Sequence, residues 1–458
     1  MLSSSPTGLQ PADMSPDPAI QSAINQAANL ANYSAAQLSQ VTDWVVGYTA
    51  GTSPIQLAPE VGASFQGVTG LIQNSGYFSF PANVPAVAAE QQLNSLAGVV
   101  FAYPLVLQQQ QSQSFPSNPT PNDPLFSQEW QLVNTGQTGG VKGADANVQP
   151  AWSQGDLGQG VTIGVVDNGV YHAQPDLAPN YNAALSYNFD TNNPDPSPAA
   201  PLAAGGDHGT EVAGVAAAAA NNGIGVAGAA PSAGIAGITL TAAPTTDKTN
   251  AQALEFDNQQ IQIYNNSWGP PANGKLDSFT GPLQLAAIAD GATNGRGGLG
   301  SIFVVAGGDG QQQQANVNYN LFANSRYTIA VGALDDHGNQ ATYSEPGSAL
   351  LVSAYAGGAL AGAAGQHGIA TTDVVNNTST NPISLQAANT NDGPSGFTGT
   401  SAAAPLVSGV IALMLQANPK LSYRDVQLIL AQSATKTDPT DPGWTNNGAT
   451  FTTDGVNF

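Results

Sequence analysis

Three short stretches carry side chains of the types that attack a carbonyl. In GTSAAAPLVSGVIALML (Gly399–Leu415), Ser401 follows a Gly-Thr turn and opens a run of small and apolar residues that reads as a helix. Pro405 falls in its first turns, where a missing N–H costs little, and Asn418-Pro419 ends it. Ser401 is then at the positive end of a buried helix, with Ala402, Ala403 and Ala404 letting other backbone approach closely. A serine hydroxyl cannot attack an amide unaided, because its pKa is too high; it needs an adjacent base, and the base needs an orienting acid. His208 in GDHGTEVAG and Asp167 at the end of GVTIGVVD are the matching types. Singly, each has a plainer reading: Ser401 as a helix N-cap, His208 as a helix's first residue, Asp167 as a turn or cap. Together, in the order Asp, His, Ser, they form a nucleophile, base and acid.

The elements that must position them alternate from Asp123 onward. GVTIGVVD (Gly160–Asp167) is apolar on both faces, as in a buried parallel strand, and HGTEVAGVAAAAANNG reads as a helix that Asn222-Gly223 terminates. QIQIYNNSWG, SIFVVAGGDG and RYTIAVGAL are further short strands, and helices such as GPLQLAAIADGA lie between them. The pattern predicts an α/β fold, a doubly wound and mostly parallel sheet, with ligands at the carboxyl ends of its strands. Residues 1–40 form a polar lead, with a helix expected over Asp17–Ala36. A small α+β domain is expected at 41–108: strands DWVVGYT and GYFSF, a mixed segment PEVGASFQGVTGLIQ between them, helix VPAVAAEQQLNSL and closing strand GVVFAYPLVL. A Gln/Ser/Pro-rich linker follows at 109–122, a natural place for cleavage, then a catalytic domain at 123–437 and a tail at 438–458. A small domain before a protease domain is what an inhibitory pro-segment looks like; the plainer reading is an unrelated α+β domain.

Of the 458 residues only 8% are charged, and the net charge of −22 reflects scarce Lys and Arg rather than acidic runs. Such a surface has low stickiness and excludes a nucleic-acid role. There is no Cys, so neither disulfides nor thiol chemistry enter. The start, MLSSSPTGLQPADMSP, has no basic n-region or apolar h-region, so no signal peptide is visible. No run is read as apolar enough to span a membrane. Export without a signal and a signal already removed are both open readings.

On these motifs the chain resembles the subtilisin-like serine peptidases, whose triad follows this chain order on a parallel sheet. Within them it resembles the kexin-like branch of proprotein convertases, of bacterial type. NDPLFSQEWQLVN (Asn122–Asn134), YNNSWGP (Tyr264–Pro270) and GTSAAAPLVSGVIALMLQANPKLSYRDVQ (Gly399–Gln427) carry the likeness over Asp123–Thr437, with a fainter match of Asp43–Leu107 to a pro-domain. The resemblance implies Ser401 as nucleophile, His208 as general base and Asp167 as the group orienting it. It implies that Ser267-Trp268-Gly269 pairs with an extended substrate strand. It also implies a structural calcium held by Asp123, Asp176 and Asn222 with carbonyls of Ala219, Ile224 and Val226, the oxygens a hard cation takes. Asp309, in VVAGGDG, falls where relatives place an oxyanion-stabilising Asn. Other departures are Asn168 in place of a second Asp beside Asp167, and Pro271-Ala272-Asn273, Ala315 and Asn320 where the branch carries acids. Glu345 alone survives, so a preference for basic residues is not expected. The branch's C-terminal β-sandwich is not seen, which suggests a fragment of a longer protein. The expected function is a calcium-supported, extracellular or cell-surface serine endopeptidase, monomeric, with a polypeptide substrate and its own pro-domain as inhibitor. The alternatives are a pseudoprotease, or a self-processing module of a larger surface protein that acts once.

Overall fold

The computed structural model describes residues 18–70, 72–106, 120–198, 208–358, 367–374 and 396–440, and the chain divides into two compact units, Met1–Ser112 and Gln113–Phe458. Most of the linker expected at 109–122 lies outside the described residues, as do residues 1–17 and the tail beyond 440.

In the first unit the helix expected over Asp17–Ala36 is interrupted. α1 spans Pro18–Ala27 and α2 spans Ala35–Leu38. Between them the Asn29 side chain accepts from Ala31 N–H, and Ser34 opens α2 with a capping box to Gln37. These local side-chain bonds offer the backbone an alternative to continuous helix. β1 (Asp43–Tyr48), α3 (Pro54–Glu60), β2 (Ser64–Val68), β3 (Ser75–Ser79), α4 (Ala86–Asn94) and β4 (Val99–Pro104) follow. The mixed segment thus contributes a strand of its own. The strands form an antiparallel sheet in the order β2-β3-β1-β4. α4 buries Ala86, Ala89 and Leu93, one stripe at helical spacing, in a core with Trp44, Val46 and Phe78.

The second unit begins with α5 (Gln149–Ser153) and β5 (Thr162–Asp167), then β6 (Tyr187–Asn188), α6 (His208–Ala217), β7 (Gly234–Thr239) and α7 (Asp247–Glu255). β8 (Ile263–Asn266), α8 (Pro282–Gly298), β9 (Ile302–Ala306), β10 (Thr328–Leu334), β11 (Leu350–Tyr355), α9 (Thr400–Ala417) and α10 (Tyr423–Ser433) complete it. Seven strands run in the order β11-β10-β9-β8-β5-β7-β6, every described pairing parallel. Alternate residues enter opposite cores: Ile163, Val165, Ile302 and Val304 join the face that α6 and α9 cover. Val166, Phe303 and Val305 join the face covered by α7 and α8. Both faces are dry, which is why the strands read as continuous apolar runs. The sheet is doubly wound, as the alternation predicts.

Two expectations are corrected. α6 ends at Ala217, five residues before Asn222: Ala219 N–H bonds to Asp176 O, and left-handed backbone at Asn221, Gly223 and Gly225 carries the chain into a loop. And α9 is long and apolar enough to cross a membrane, with mean hydropathy 1.5 over 18 residues. Its apolarity has another cause, since 72% of that window is buried beneath the sheet.

α9 meets α6 and its following loop through Gly409, where an added Cβ would fall 2.6 Å from Ala229 Cβ and 2.9 Å from Ala216 O. Ala is intrinsically better than Gly within a helix by about 1 kcal/mol, but overpacking here costs about 1–3 kcal/mol. Contact therefore outweighs propensity, and Gly409→Ala is expected to lower the thermal midpoint; an unchanged or higher midpoint would show that the helices separate freely.

Candidate active site

β5, hydrogen-bonded between β7 and β8, ends at Asp167, and α6 begins at His208. Gly209 lets them meet: a Cβ there would lie 2.3 Å from Gly169 O and 2.9 Å from Asp167 Cβ. His208 Nδ1 is 2.8 Å from Asp167 Oδ1, which also accepts from Asn168 N–H at 2.7 Å. Asp167 Oδ2 is buried without a hydrogen-bond partner among the described residues. The Asn168 side chain accepts from Gly209 N–H at 2.9 Å and so tethers the first turn of α6. The imidazole meets the Phe397 ring edge-to-face at 5.6 Å.

Ser401 stands in the first turn of α9, after Gly399, whose φ of 94° only glycine adopts easily. Its Oγ donates to Ser267 O at 3.0 Å, and Ser267 Oγ donates to Ser401 O at 2.9 Å. A polar chain continues behind this pair: Asn265 donates to Ser267 Oγ at 3.0 Å and accepts from Ser408 Oγ at 2.8 Å. Ser408 lies two turns along α9 from Ser401, so β8 is fastened to the helix at two heights. Nothing in the strand-like reading of QIQIYNNSWG exposes this link.

Ser401 and Thr400 line a cleft together with Ser267, Trp268, Gly269 and Asp309. Trp268 packs on Phe322 at 5.1 Å. Asp309 Oδ1 accepts from both Thr400 N–H and Thr400 Oγ1 at 2.8 Å, while Thr400 Oγ1 accepts from Gly308 N–H at 3.0 Å. Burial raises the Asp309 carboxyl above its ordinary range, against the two bonds from Thr400 and the charge of His208, which lower it. Ser401 N–H makes no hydrogen bond among the described residues and points from the positive end of α9. Thr400 and Tyr343, whose hydroxyl accepts from Gly399 N–H at 3.1 Å, are site residues that motif reading missed. So is Asp277, a cleft carboxylate with one oxygen bonded to Phe279 N–H and the other buried without a partner among the described residues.

The residues expected to hold calcium gather around one loop. Asp123 accepts from Asn221 and Asn222 N–H, and Asp176 from Val226 N–H and the Asn222 amide. Both carboxylates are buried and neither pairs with a cation among the described residues. Burial raises both, Asp176 to about 6. The carbonyls of Ala219, Ile224 and Val226 accept no hydrogen bond among the described residues. This is a set of hard oxygens in search of positive charge, and it fits calcium. The Asn222 amide would have to turn over, since its nitrogen now faces Asp176 at 2.7 Å.

The family model described as the Subtilase family, Peptidase_S8, matches residues 158–449. A PC3-like endoprotease variant B of Hydra vulgaris is 39% identical over 72% of the chain and 44% of its own length. The proprotein convertase subtilisin/kexin type 7 of Homo sapiens is 39% identical over 72% of the chain and 40% of its own length. The chain thus spans less than half of these relatives. Among solved structures, a serine protease of Aeromonas sobria in complex with a chaperone superposes with a TM-score of 0.61. It is 28% identical and covers 72% of this chain and 61% of that one.

Thr400→Val keeps the side-chain shape but deletes its bonds to Gly308 and Asp309. Leaving buried polar partners unmade costs about 1–3 kcal/mol. A denaturant titration of the full chain is expected to show that loss, and an unaltered midpoint would mean the loop and helix are held otherwise.

Proposed function

Since the chain belongs to the subtilase family, with proprotein convertases among its relatives, we propose that it is a serine endopeptidase acting through Asp167, His208 and Ser401. The observation that carries the reading is the 2.8 Å bond between Asp167 and His208 at the mouth of a parallel sheet, with Ser401 at the start of the buried helix α9. Ser401 Oγ attacks the scissile carbonyl as its proton passes to His208 Nε2. Asp167 fixes the imidazole by Nδ1 and stabilises it once charged, and His208 returns the proton to the leaving amine. The substrate lies extended along Ser267–Gly269. The oxyanion is met by Ser401 N–H and by Asp309, whose Oδ2 donates when protonated, Oδ1 being held by Thr400.

Residues 41–108 serve as a self-inhibiting pro-domain, and the linker after them is cut on maturation. The enzyme acts at the cell surface or outside the cell. Asp123, Asp176 and Asn222 with the three loop carbonyls hold a structural calcium, which neutralises two buried acids and ties the start of the catalytic unit to its core.

Ser401→Ala is expected to abolish hydrolysis and labelling by a serine-directed phosphonate while leaving the fold intact. A reactive wild-type Ser401 excludes a dead module, and turnover of an unrelated peptide excludes a single-use one.

Calcium binding the folded state alone stabilises by mass action, about 2.7 kcal/mol at a hundred times Kd. The thermal midpoint of the full chain is expected to fall on chelation, and Asp176→Asn to remove that difference. A wild type indifferent to chelator would falsify the calcium assignment.

Asp309 makes the pH profile diagnostic. Its raised pKa means that the protonated, donating form gains as pH falls, so turnover rises below neutrality until His208 itself takes a proton. In subtilisin, loss of the corresponding asparagine donor costs about 10²–10³ in turnover. Asp309→Asn is therefore expected to raise kcat near pH 7 at least about tenfold and to flatten the acid rise. Coincident profiles would place Asp309 outside the oxyanion site.

A further inference from the structure

The cleft that holds Ser401 also contains Asn320, and the orientation of its amide can be read from its neighbours. Asn320 Oδ1 accepts from Phe322 N–H at 3.0 Å and from Ala323 N–H at 3.1 Å. Turning the amide over would set an NH₂ group against two N–H donors, so the carbonyl is committed to the backbone. Nδ2 is left beside Gly269, 3.2 Å from where a Cβ would stand, and has no acceptor among the described residues. Asn320 as a residue is 9% exposed, and its unpartnered Nδ2 opens onto the cleft. A donor placed so at the cleft wall is free to take a ligand oxygen in place of water.

Three acids line the same cleft: Asp277 keeps one oxygen without a partner among the described residues, while Asp309 and Glu345 are partly spent. Asp309 Oδ1 is held by Thr400, and Glu345 Oε1 accepts from Gly310 N–H at 3.2 Å. Burial raises Glu345, and Asp309 beside it raises it further, so a second anion is unwelcome there. A cationic side chain would bring its positive charge against the Asn320 NH₂. An uncharged side chain ending in a carbonyl oxygen meets both conditions.

We propose that Asn320 makes this cleft selective for an uncharged amide side chain, glutamine foremost, on the residue whose carbonyl is attacked. The proposal rests on the serine-peptidase reading above. A separate feature of the chain agrees with it: no Lys or Arg precedes Lys142, whereas Gln108–Gln111 and Gln113 stand between the two units' folded elements. A protease that matures itself in that stretch must accept an uncharged residue, and glutamine is the one most available.

The test uses the full chain and peptides identical except for Gln, Glu, Leu or Arg before the scissile bond. The Gln peptide is expected to exceed Arg in kcat/KM at least about tenfold, the worth of one hydrogen bond matched against one mismatched charge. Asn320→Asp retains the acceptor for Phe322 and Ala323 but replaces the donor by a carboxylate; it should lower Gln turnover and raise Arg turnover, inverting the ratio. N-terminal sequencing of the matured wild type should show cleavage after a glutamine within 108–113. Wild-type preference for Arg, or a Gln/Arg ratio unmoved by Asn320→Asp, overturns the proposal while leaving the peptidase reading standing. If Glu345→Gln alone abolishes an Arg preference, Glu345 and not Asn320 reads the side chain, which also overturns it. A protein that cleaves none of the peptides and takes no phosphonate overturns the peptidase reading and the inference together.

Discussion

The close approach of two helices underlies everything at this site. α6 begins with His208 and α9 begins with Thr400-Ser401, and both lie on one face of the sheet. They meet only because small residues line the contact: Gly409 against Ala229 and the carbonyl of Ala216, with Ala402, Ala403 and Ala404 fully buried along the same helix. Larger side chains would push the two helices apart, and with them His208 and Ser401. Composition that looks bland, the runs EVAGVAAAAA and TSAAAPLVSG, is thus a geometric requirement.

The parts of this arrangement that depend on period and turn chemistry were legible from sequence. The strand end at Asp167, the helix starts at His208 and Thr400 (one residue before Ser401) and the stop at Asn418 follow from apolar runs and from the Gly and Asn-Pro that bound them, because these act within a few residues. What sequence did not disclose are bonds between distant segments. The clasp of Thr400 on Asp309 spans 91 residues, and that of Ser408 on Asn265 spans 143. The end of α6 at Ala217 was misread for the same reason: Asn222-Gly223 is a fair local stop, but Asp176 O captures Ala219 N–H earlier. Asn320 could be noticed as an amide replacing an acid, yet which end of it faces the cleft depends on the N–H groups of Phe322 and Ala323.

With 8 Lys and Arg against 30 Asp and Glu, the chain cannot neutralise its acids by ion pairing. Among the described residues the close ion pairs all use histidine: His172 with Asp195, His208 with Asp167 and His337 with Asp336. Backbone N–H groups take over elsewhere. Ala227 N–H serves Glu129, Gly310 N–H serves Glu345, and Leu283 and Gln284 N–H serve Asp247. Glu129, fully buried, is pushed well above the usual carboxylate range by that burial and by the nearby Asp176 and Asp123. Dipoles replace counter-ions throughout, which leaves the acids near the candidate calcium loop the most exposed to electrostatic strain.

The reciprocal bonds between Ser267 and Ser401 tie the proposed substrate wall to the proposed nucleophile. Wall and blade are one rigid piece, braced from behind through Asn265 and Ser408. A side chain too wide for the cleft cannot push Ser267 outward without dragging Ser401, the proposed nucleophile, with it. Misfit then registers as a slow step after a normal encounter, because sub-ångström misplacement of a reacting atom is costly in rate even where contact area is unchanged. Discrimination built this way is a property of turnover, so a peptidase of this build would discriminate in rate more than in binding.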